Sequence, residues 1–281
     1  MIIRTLLHEA QSQLIQNDIP ESYAKYVLNE LLLKQDRNLY VLMDETLDEA
    51  TLRHFQEIIS RLCQDEPLAY VMGEQYFYGY AFEVNSDVLI PRFETEELVM
   101  RVLMELDETF PNTPATLVDI GTGSGAIACT LKMEAPLLTV YASDISEKAL
   151  AQAQKNANKL GADVKFICGD MVKPFIDLKL KADVLVCNPP YIPQNEVIQN
   201  SVKAFEPHVA LFGGEDGLFF YRSVLQDAPM ILNKKSIIAF EMGWNQKETL
   251  TNLALEHFPQ AQIECFKDIN GKDRILIIRT I

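Results

Sequence analysis

Thr116-Leu117-Val118-Asp119-Ile120-Gly121-Thr122-Gly123-Ser124-Gly125-Ala126-Ile127-Ala128 passes from an apolar β-type run, through three alternating glycines, into a run of helix formers. A strand that breaks into such a turn and continues as a helix directs backbone N–H groups and the helix amino end at a ligand. The Gly-x-Gly-x-Gly spacing suits a dinucleotide as well as other nucleoside ligands, and a tight turn without any ligand has the same spelling. Its surroundings decide the fold. Apolar runs at 116–120, 138–143, 164–168, 184–187 and 236–241 alternate with helical segments, the pattern of a doubly wound parallel sheet. Two further strands, 262–266 and 273–279, are separated only by Lys267 to Lys272, with Asn270-Gly271 at the turn. So short a link cannot make a parallel crossover, so they form a hairpin and one terminal strand runs antiparallel.

Upstream of this α/β region the texture differs. Leu6, Ala10 and Leu14, then Ala24, Val27, Leu28, Leu31 and Leu32, then Leu52, Phe55, Ile59 and Leu62 follow helical spacing, which predicts a small bundle. Thr46 with Glu49 spells a capping box for the third main helix, Pro67 marks its end, and Pro20 suits the first turn of the second. The aromatic stretch Tyr76 to Val84, a turn at Asn85-Ser86-Asp87 and Val88-Leu89-Ile90 read as a β-hairpin closed by Pro91, with a helix from Glu94 to Leu106 beyond. The expected organisation is a helical domain at 1–75, a hairpin linker at 76–91 and an α/β domain at 92–281.

At 281 residues and 48% hydrophobic content the chain can bury a full core. No run approaches the roughly 18 apolar residues of a membrane span. The start Met1-Ile2-Ile3-Arg4-Thr5 carries neither a secretory nor an Arg-rich transit pattern, so a cytoplasmic protein is expected. The five cysteines, Cys63, Cys129, Cys168, Cys187 and Cys265, lack C-x-x-C spacing and read as buried reduced thiols. With the four histidines dispersed at His8, His54, His208 and His257, no metal site is expected. A net charge of −15 disfavours a polyanionic partner, because nucleic-acid binding draws on Lys and Arg against phosphates. The same acid excess also serves simple solubility.

Asp144 ends the second strand of the α/β region, where a carboxylate would accept hydrogen bonds from both hydroxyls of a ribose, and Ile145 beside it would cover a base. Ser146 already supplies the cap of the next helix, which leaves Asp144 for other work. After the third strand, Asp170 would meet an adenine amino group and Met171 would pack on the ring. After the fourth comes Asn188-Pro189-Pro190-Tyr191. Asparagine offers a carbonyl acceptor and prolines remove backbone donors, so the Asn188 side-chain oxygen and the Pro189 carbonyl can hold the two protons of one planar NH2 group beside the Tyr191 ring. An adenine amino group and a carboxamide share that shape. A module that binds the nucleoside ligand without chemistry is the remaining alternative.

Together, the glycine turn, the acid after strand two and Asn-Pro-Pro-Tyr after strand four resemble class I S-adenosylmethionine-dependent N-methyltransferases. Pro67 to Gly73, Val88 to Glu96, Glu206 to Leu218 and Lys267 to Arg274 extend the likeness over nearly the whole chain, which resembles the peptide-chain release-factor glutamine methyltransferases (HemK/PrmC family). The resemblance implies a Rossmann-like seven-stranded sheet and methylation of the glutamine N5 in the Gly-Gly-Gln motif of class 1 release factors. S-adenosylmethionine would be the donor and S-adenosylhomocysteine the product. It implies cofactor contacts from Gly121, Thr122, Gly123, Ser124, Gly125, Asp144, Ile145, Asp170, Met171 and Asn188. Asn188, Pro189, Pro190 and Tyr191 would hold the glutamine, with Asn188, Pro189 and Tyr191 catalytic. Arg92 would shape the site wall or pair with Glu94 or Glu96. A monomer that binds release factors, but neither nucleic acid nor membrane, is expected.

Overall fold

In the computed structural model, which describes Met1–Thr280, the α/β region is built on strands β3 to β9. In chain order the elements are α1 (Ile3–Gln16), α2 (Ser22–Leu33), α3 (Glu49–Leu62), α4 (Leu68–Met72), β1 (Glu74–Phe77), β2 (Tyr80–Glu83), α5 (Phe93–Thr109), β3 (Ala115–Ile120), α6 (Ala126–Glu134), β4 (Leu138–Asp144), α7 (Glu147–Leu160), β5 (Val164–Cys168), α8 (Lys173–Asp177), β6 (Ala182–Cys187), α9 (Asn200–Phe205), a 3-10 turn (His208–Ala210), α10 (Phe219–Ile231), β7 (Leu232–Glu241), α11 (Lys247–His257), β8 (Gln262–Lys267) and β9 (Asp273–Thr280).

The seven-stranded sheet has the order β5-β4-β3-β6-β7-β9-β8. Strands β3 to β7 pair in parallel, and β9 runs antiparallel to both β7 and β8. Successive residues of its strands enter opposite cores. Leu117, Val184, Ile237 and Ile277 pack with Leu98 and Val102 of α5 and Leu131 of α6. Val118, Leu185, Ile238 and Ile278 pack with Phe175 of α8, Val224 of α10 and Leu250 of α11. Burial on both faces is why these strands read as unbroken apolar runs rather than alternating ones. The chain reverses its placement of strands between β3–β4 on one side and β3–β6 on the other, and at that switch point the carboxyl ends of β3 and β6 open a crevice.

The chain divides into two compact units. One contains Met1–Glu74 together with Ile198–Phe205, and the other contains Gln75–Val197 and the chain from Glu206 onward. In the first, Leu6, Leu14, Leu28, Leu32, Phe55 and Ile59 form the core of α1, α2 and α3. The cap of α3 differs from the expected Thr46–Glu49 box: the Asp48 side chain accepts from the Thr51 N–H at 2.9 Å and from its hydroxyl at 2.7 Å. Thr46 instead forms a bridge with Ile2. Helix α3 stops at Leu62, and Pro67 precedes α4 rather than ending α3.

The hairpin is also shorter than expected. Strands β1 and β2 turn at Tyr78-Gly79, both at positive φ (51° and 81°). Asn85 makes an Asx turn to the Asp87 N–H, and Val88-Leu89-Ile90 forms no strand. A tyrosine in the left-handed region is uncommon and gives no sequence signal for a turn. The thiols are less uniform than expected: Cys129 and Cys187 are buried, Cys63 and Cys265 half-buried, and Cys168 is exposed at the last position of β5. Among the described residues no helix is long and apolar enough to cross a membrane.

Candidate active site

The crevice holds a cavity of about 320 Å³. Ile120, Gly121 and Gly123 line it after β3, Asp144, Ile145 and Ser146 after β4, Gly169, Asp170 and Met171 after β5, and Cys187, Asn188, Pro189 and Pro190 after β6. Asp87 to Leu89, Ala149, Pro207, Val209, Ala210, Phe219 and Phe220 complete the wall. Four strand ends thus deliver most of the residues that sequence reading singled out. Thr122, Ser124, Gly125 and Tyr191 lie beside the cavity-lining residues rather than on its wall.

The glycine turn is not an open anion cradle. The N–H groups of Gly121 and Thr122 donate to the Ser143 carbonyl at 2.9 Å, that of Gly125 to the Thr122 carbonyl at 2.9 Å, and that of Gly123 to Asp144 Oδ2 at 2.9 Å. These four donors are spent inside the fold, which leaves fewer backbone N–H groups for a dinucleotide pyrophosphate. The glycines instead keep the wall bare of side chains. Gly125 has a further reason: at φ +81° it caps α6, and a Cβ there would lie 3.1 Å from Ala153 Cβ. Ser124 is buried, with its carbonyl accepting from Asn156 Nδ2 at 2.9 Å.

Asp144 Oδ2 meets Gly123, and Oδ1 accepts from the Ser146 N–H at 2.9 Å. Each carboxylate oxygen keeps lone-pair capacity for a hydroxyl. Ser146 Oγ caps α7 by accepting from the Ala149 N–H at 3.2 Å, as expected of it. Asp170 is paired with Lys173 at 2.6 Å, and Met171, at φ 49°, is fixed by Ser143 Oγ donating to its carbonyl at 3.1 Å.

Beneath the turn lies Asp119, which the sequence reading passed over. It is fully buried; Oδ2 accepts from Thr122 Oγ1 at 2.6 Å, and Oδ1 has no partner. Burial pushes its carboxyl up to about 7, with the Thr122 hydroxyl opposing the rise, the Asp144 charge adding to it and the nearby Ala128 N–H opposing it.

Asn188 follows directly on β6. Its Nδ2 donates to Thr95 Oγ1 at 3.2 Å, and Thr95 Oγ1 donates to Glu241 Oε2 at 2.6 Å. The Tyr191 hydroxyl donates to Glu241 Oε1 at 3.2 Å, and Arg274 Nη1 lies 3.5 Å from that hydroxyl. Tyr191 therefore turns its polar end into the protein, and burial, with Glu241 next, raises its phenol well above the ordinary range.

The loop from Asn188 to Tyr191 is clamped by backbone. A Cβ on Gly213 would lie 2.4 Å from the Pro190 carbonyl oxygen, and one on Gly217 2.3 Å from that of Tyr191. Gln246 Nε2 donates to the Tyr191 carbonyl at 3.1 Å. Arg92 pairs with buried Glu206 rather than with Glu94 or Glu96. Glu206 also accepts from the Ile90 N–H at 3.3 Å. Of these missed residues Glu241 carried a signal, a single acid after Ile237-Ile238-Ala239-Phe240.

Comparison with known proteins matches residues 5–73 to the PrmC N-terminal domain family and residues 100–210 to the methyltransferase small domain family. A release factor glutamine methyltransferase of Bacillus cereus is 42% identical over 98% of both chains. The protein of that name from Bacillus subtilis is 43% identical over 88% of both. The chain belongs to the release factor glutamine methyltransferases. The Staphylococcus aureus member is 39% identical over 96% of both chains. Among solved structures, a Pyrococcus furiosus methyltransferase superposes with a TM-score of 0.53 at 17% identity, covering 78% of this chain and 96% of its own. An S-adenosylmethionine-dependent methyltransferase of Agrobacterium tumefaciens gives 0.50 at 14%, covering 74% and 69%. At those identities the likeness concerns the fold, and it places this family member among methyltransferase sheets.

Proposed function

We propose that this chain transfers a methyl group from S-adenosylmethionine to the side-chain amide N5 of the glutamine in the Gly-Gly-Gln motif of class 1 peptide-chain release factors. The observation that carries the reading is Asn188. Its NH2 end is held by Thr95 and its Oδ1 accepts no hydrogen bond from the described residues, while the side chain lines the cavity. The Pro189 carbonyl beside it likewise receives no donor from the described residues. Two unengaged acceptors side by side suit the two protons of one carboxamide nitrogen.

The cavity fits the donor. Asp144 offers lone pairs for ribose hydroxyls, Ile145 and Met171 offer apolar surface for a base, and the internally bonded glycine turn suits a ligand without a pyrophosphate. When bound, S-adenosylmethionine supplies an electron-poor methyl carbon on a positively charged sulfur. The protein's own work is positional. An amide nitrogen is a weak nucleophile because its lone pair is delocalised. Asn188 Oδ1 and the Pro189 carbonyl orient it, and they stabilise the positive charge that develops on its N–H groups and ease the later loss of a proton to water. Pro189 and Pro190 limit movement of the loop. Tyr191 contributes through its anchored hydroxyl, which fixes the loop's far end.

Replacement Asn188→Ala tests the reading directly. Loss of one preorganised polar group should cut turnover on a release factor by more than about tenfold, read by mass spectrometry of the Gly-Gly-Gln peptide. Undiminished methylation would refute the assignment.

In the same reading residues 1–75 form the substrate-recognition domain, 76–91 a linker and 92–281 the catalytic domain. Deletion of the first segment should abolish action on the folded factor while leaving cofactor affinity intact; parallel loss of that affinity would make the segment structural. The net charge of −15 supports a protein rather than a nucleic acid as partner. The enzyme works as a cytoplasmic monomer, an expectation that sedimentation of the purified protein tests.

A further inference from the structure

Every hydrogen bond around Asn188 runs in one direction. A guanidinium can only donate and a carboxylate can only accept, so Arg274 donates to the Tyr191 hydroxyl and that hydroxyl to Glu241 Oε1. From the other side Thr95 Oγ1 donates to Glu241 Oε2 at 2.6 Å. The Thr95 hydroxyl hydrogen is thereby committed, and only oxygen lone pairs remain to face Asn188. An asparagine amide has two nearly isosteric ends, and only its NH2 is attractive there; a flipped amide would set oxygen against oxygen.

We propose that Thr95 and Glu241 are positioning residues for methyl transfer: the buried Glu241 carboxylate orients the Thr95 hydroxyl, which selects the Asn188 rotamer that presents Oδ1 to the substrate amide. The inference rests on the reading of Asn188 given above.

The placement of the residues follows from the sheet. Cys187 and Phe240 are register partners of β6 and β7, so Asn188 and Glu241 continue side by side at the strand ends. Thr95 stands in the first turn of α5. Thr95 and Glu241 are 4% and 2% exposed, so water does not compete for either bond. No cation forms a direct ion pair with Glu241 among the described residues: Arg274 instead reaches Asp268, with Nε at 3.2 Å from its carboxylate. A buried carboxylate satisfied by two hydroxyls is a costly way to fill a core position. The cost is explained if its directionality is what the site uses. Burial also raises the Glu241 carboxyl above its ordinary value, against the opposing Thr95 hydroxyl and Arg274 charge. The same carboxylate holds Tyr191, so both ends of the Asn-Pro-Pro-Tyr loop are referred to one atom group.

The test compares Thr95→Val, which keeps shape and removes the hydroxyl, with Thr95→Ser, which keeps the hydroxyl. Thr95→Val should lower kcat on a class 1 release factor by about tenfold to a hundredfold. KM for the factor should stay near wild type, as expected for an interaction that acts in the transition state. Calorimetric affinity for S-adenosylhomocysteine should stay close to that of Thr95→Ser, which should recover most of the turnover, whereas the melting temperature of Thr95→Val should fall because the buried Glu241 Oε2 loses its donor. Combined with Asn188→Ala, Thr95→Val should add no further loss, because its effect passes through that side chain.

In the ligand-free protein, the Asn188 side-chain NH2 signal, identified by its disappearance in Asn188→Ala, should show one deshielded proton in wild type and Thr95→Ser and none in Thr95→Val. Wild-type kcat in Thr95→Val, or a loss that multiplies with that of Asn188→Ala, overturns the proposal. If Thr95→Val does not fold, the wild-type spectrum decides alone, and an NH2 signal without a deshielded proton overturns it. Normal turnover of Asn188→Ala would instead remove the underlying reading, a separate outcome.

Discussion

Asp119 makes stability depend on pH in a way that can be worked out beforehand. Its carboxyl rises from 3.8 to about 7 on folding, and at about 1.4 kcal/mol per unit that amounts to about 4 kcal/mol. Below 3.8 both folded and unfolded chains carry the proton, and the group contributes no difference. Between 3.8 and about 7 the folded chain keeps a proton that the unfolded chain has released. Stability therefore falls as pH rises through that window and levels off above it. Asp119→Asn removes the titration and leaves an acceptor for Thr122, so it should not show this slope. Urea unfolding of both proteins between pH 5 and 8 measures the difference. From pH 5 to 7 the wild type should lose about 2 kcal/mol relative to the variant, with only a few tenths of a kcal/mol more by pH 8. Any constant offset from burying an unpaired NH2 leaves the slope unaltered. A pH-independent difference would mean that Asp119 is ionised throughout, and that the partnerless Oδ1 is served by a donor after all.

Two other substitutions probe the neighbouring loops. Asp144→Ala should weaken S-adenosylhomocysteine binding by about tenfold to a hundredfold in calorimetry, the loss of one or two charge-assisted hydrogen bonds; unchanged affinity would remove Asp144 from the cofactor site. Gly217→Ala should cost both stability and turnover, because its φ of +74° disfavours a side chain and the new Cβ would meet the Tyr191 carbonyl. Gly161→Ala, at φ +72° with open space around it, serves as the control and should cost only about 1 kcal/mol in thermal unfolding with turnover retained.

Much of the sheet was legible because strands buried on both faces announce themselves as short apolar runs. Expected and observed strands differ mainly at their ends. The largest difference is β7, which begins at Leu232 rather than 236, since exposed Asn233, Lys234 and Lys235 carry no apolar signal. Capping was less legible: Thr46-x-x-Glu49 and Asp48-x-x-Thr51 overlap, and tertiary pairing of Thr46 with Ile2 leaves the cap to Asp48. At the site, residues on strand ends were readable because a parallel sheet gathers such ends at one edge. Thr95, Gln246 and Arg274 were not, since their roles arise from contacts across 93, 55 and 83 positions of chain. The anchoring of Tyr191 was hidden for a related reason: nothing local in Asn-Pro-Pro-Tyr reveals that a buried acid draws the hydroxyl inward.

Strand β9 enters the sheet between β7 and β8 and runs against its neighbours, so its beginning, not its end, lies at the edge where the parallel strands finish. That reversal is what brings Arg274 to Tyr191. During synthesis the parallel strands β3 to β7 leave the ribosome well before β9, and a nascent chain halted before Asp273 would lack both the partner of β7 and the guanidinium behind the reactive loop. Competence for methyl transfer should thus wait until β9 has been made, even if the nucleoside-facing half has already folded.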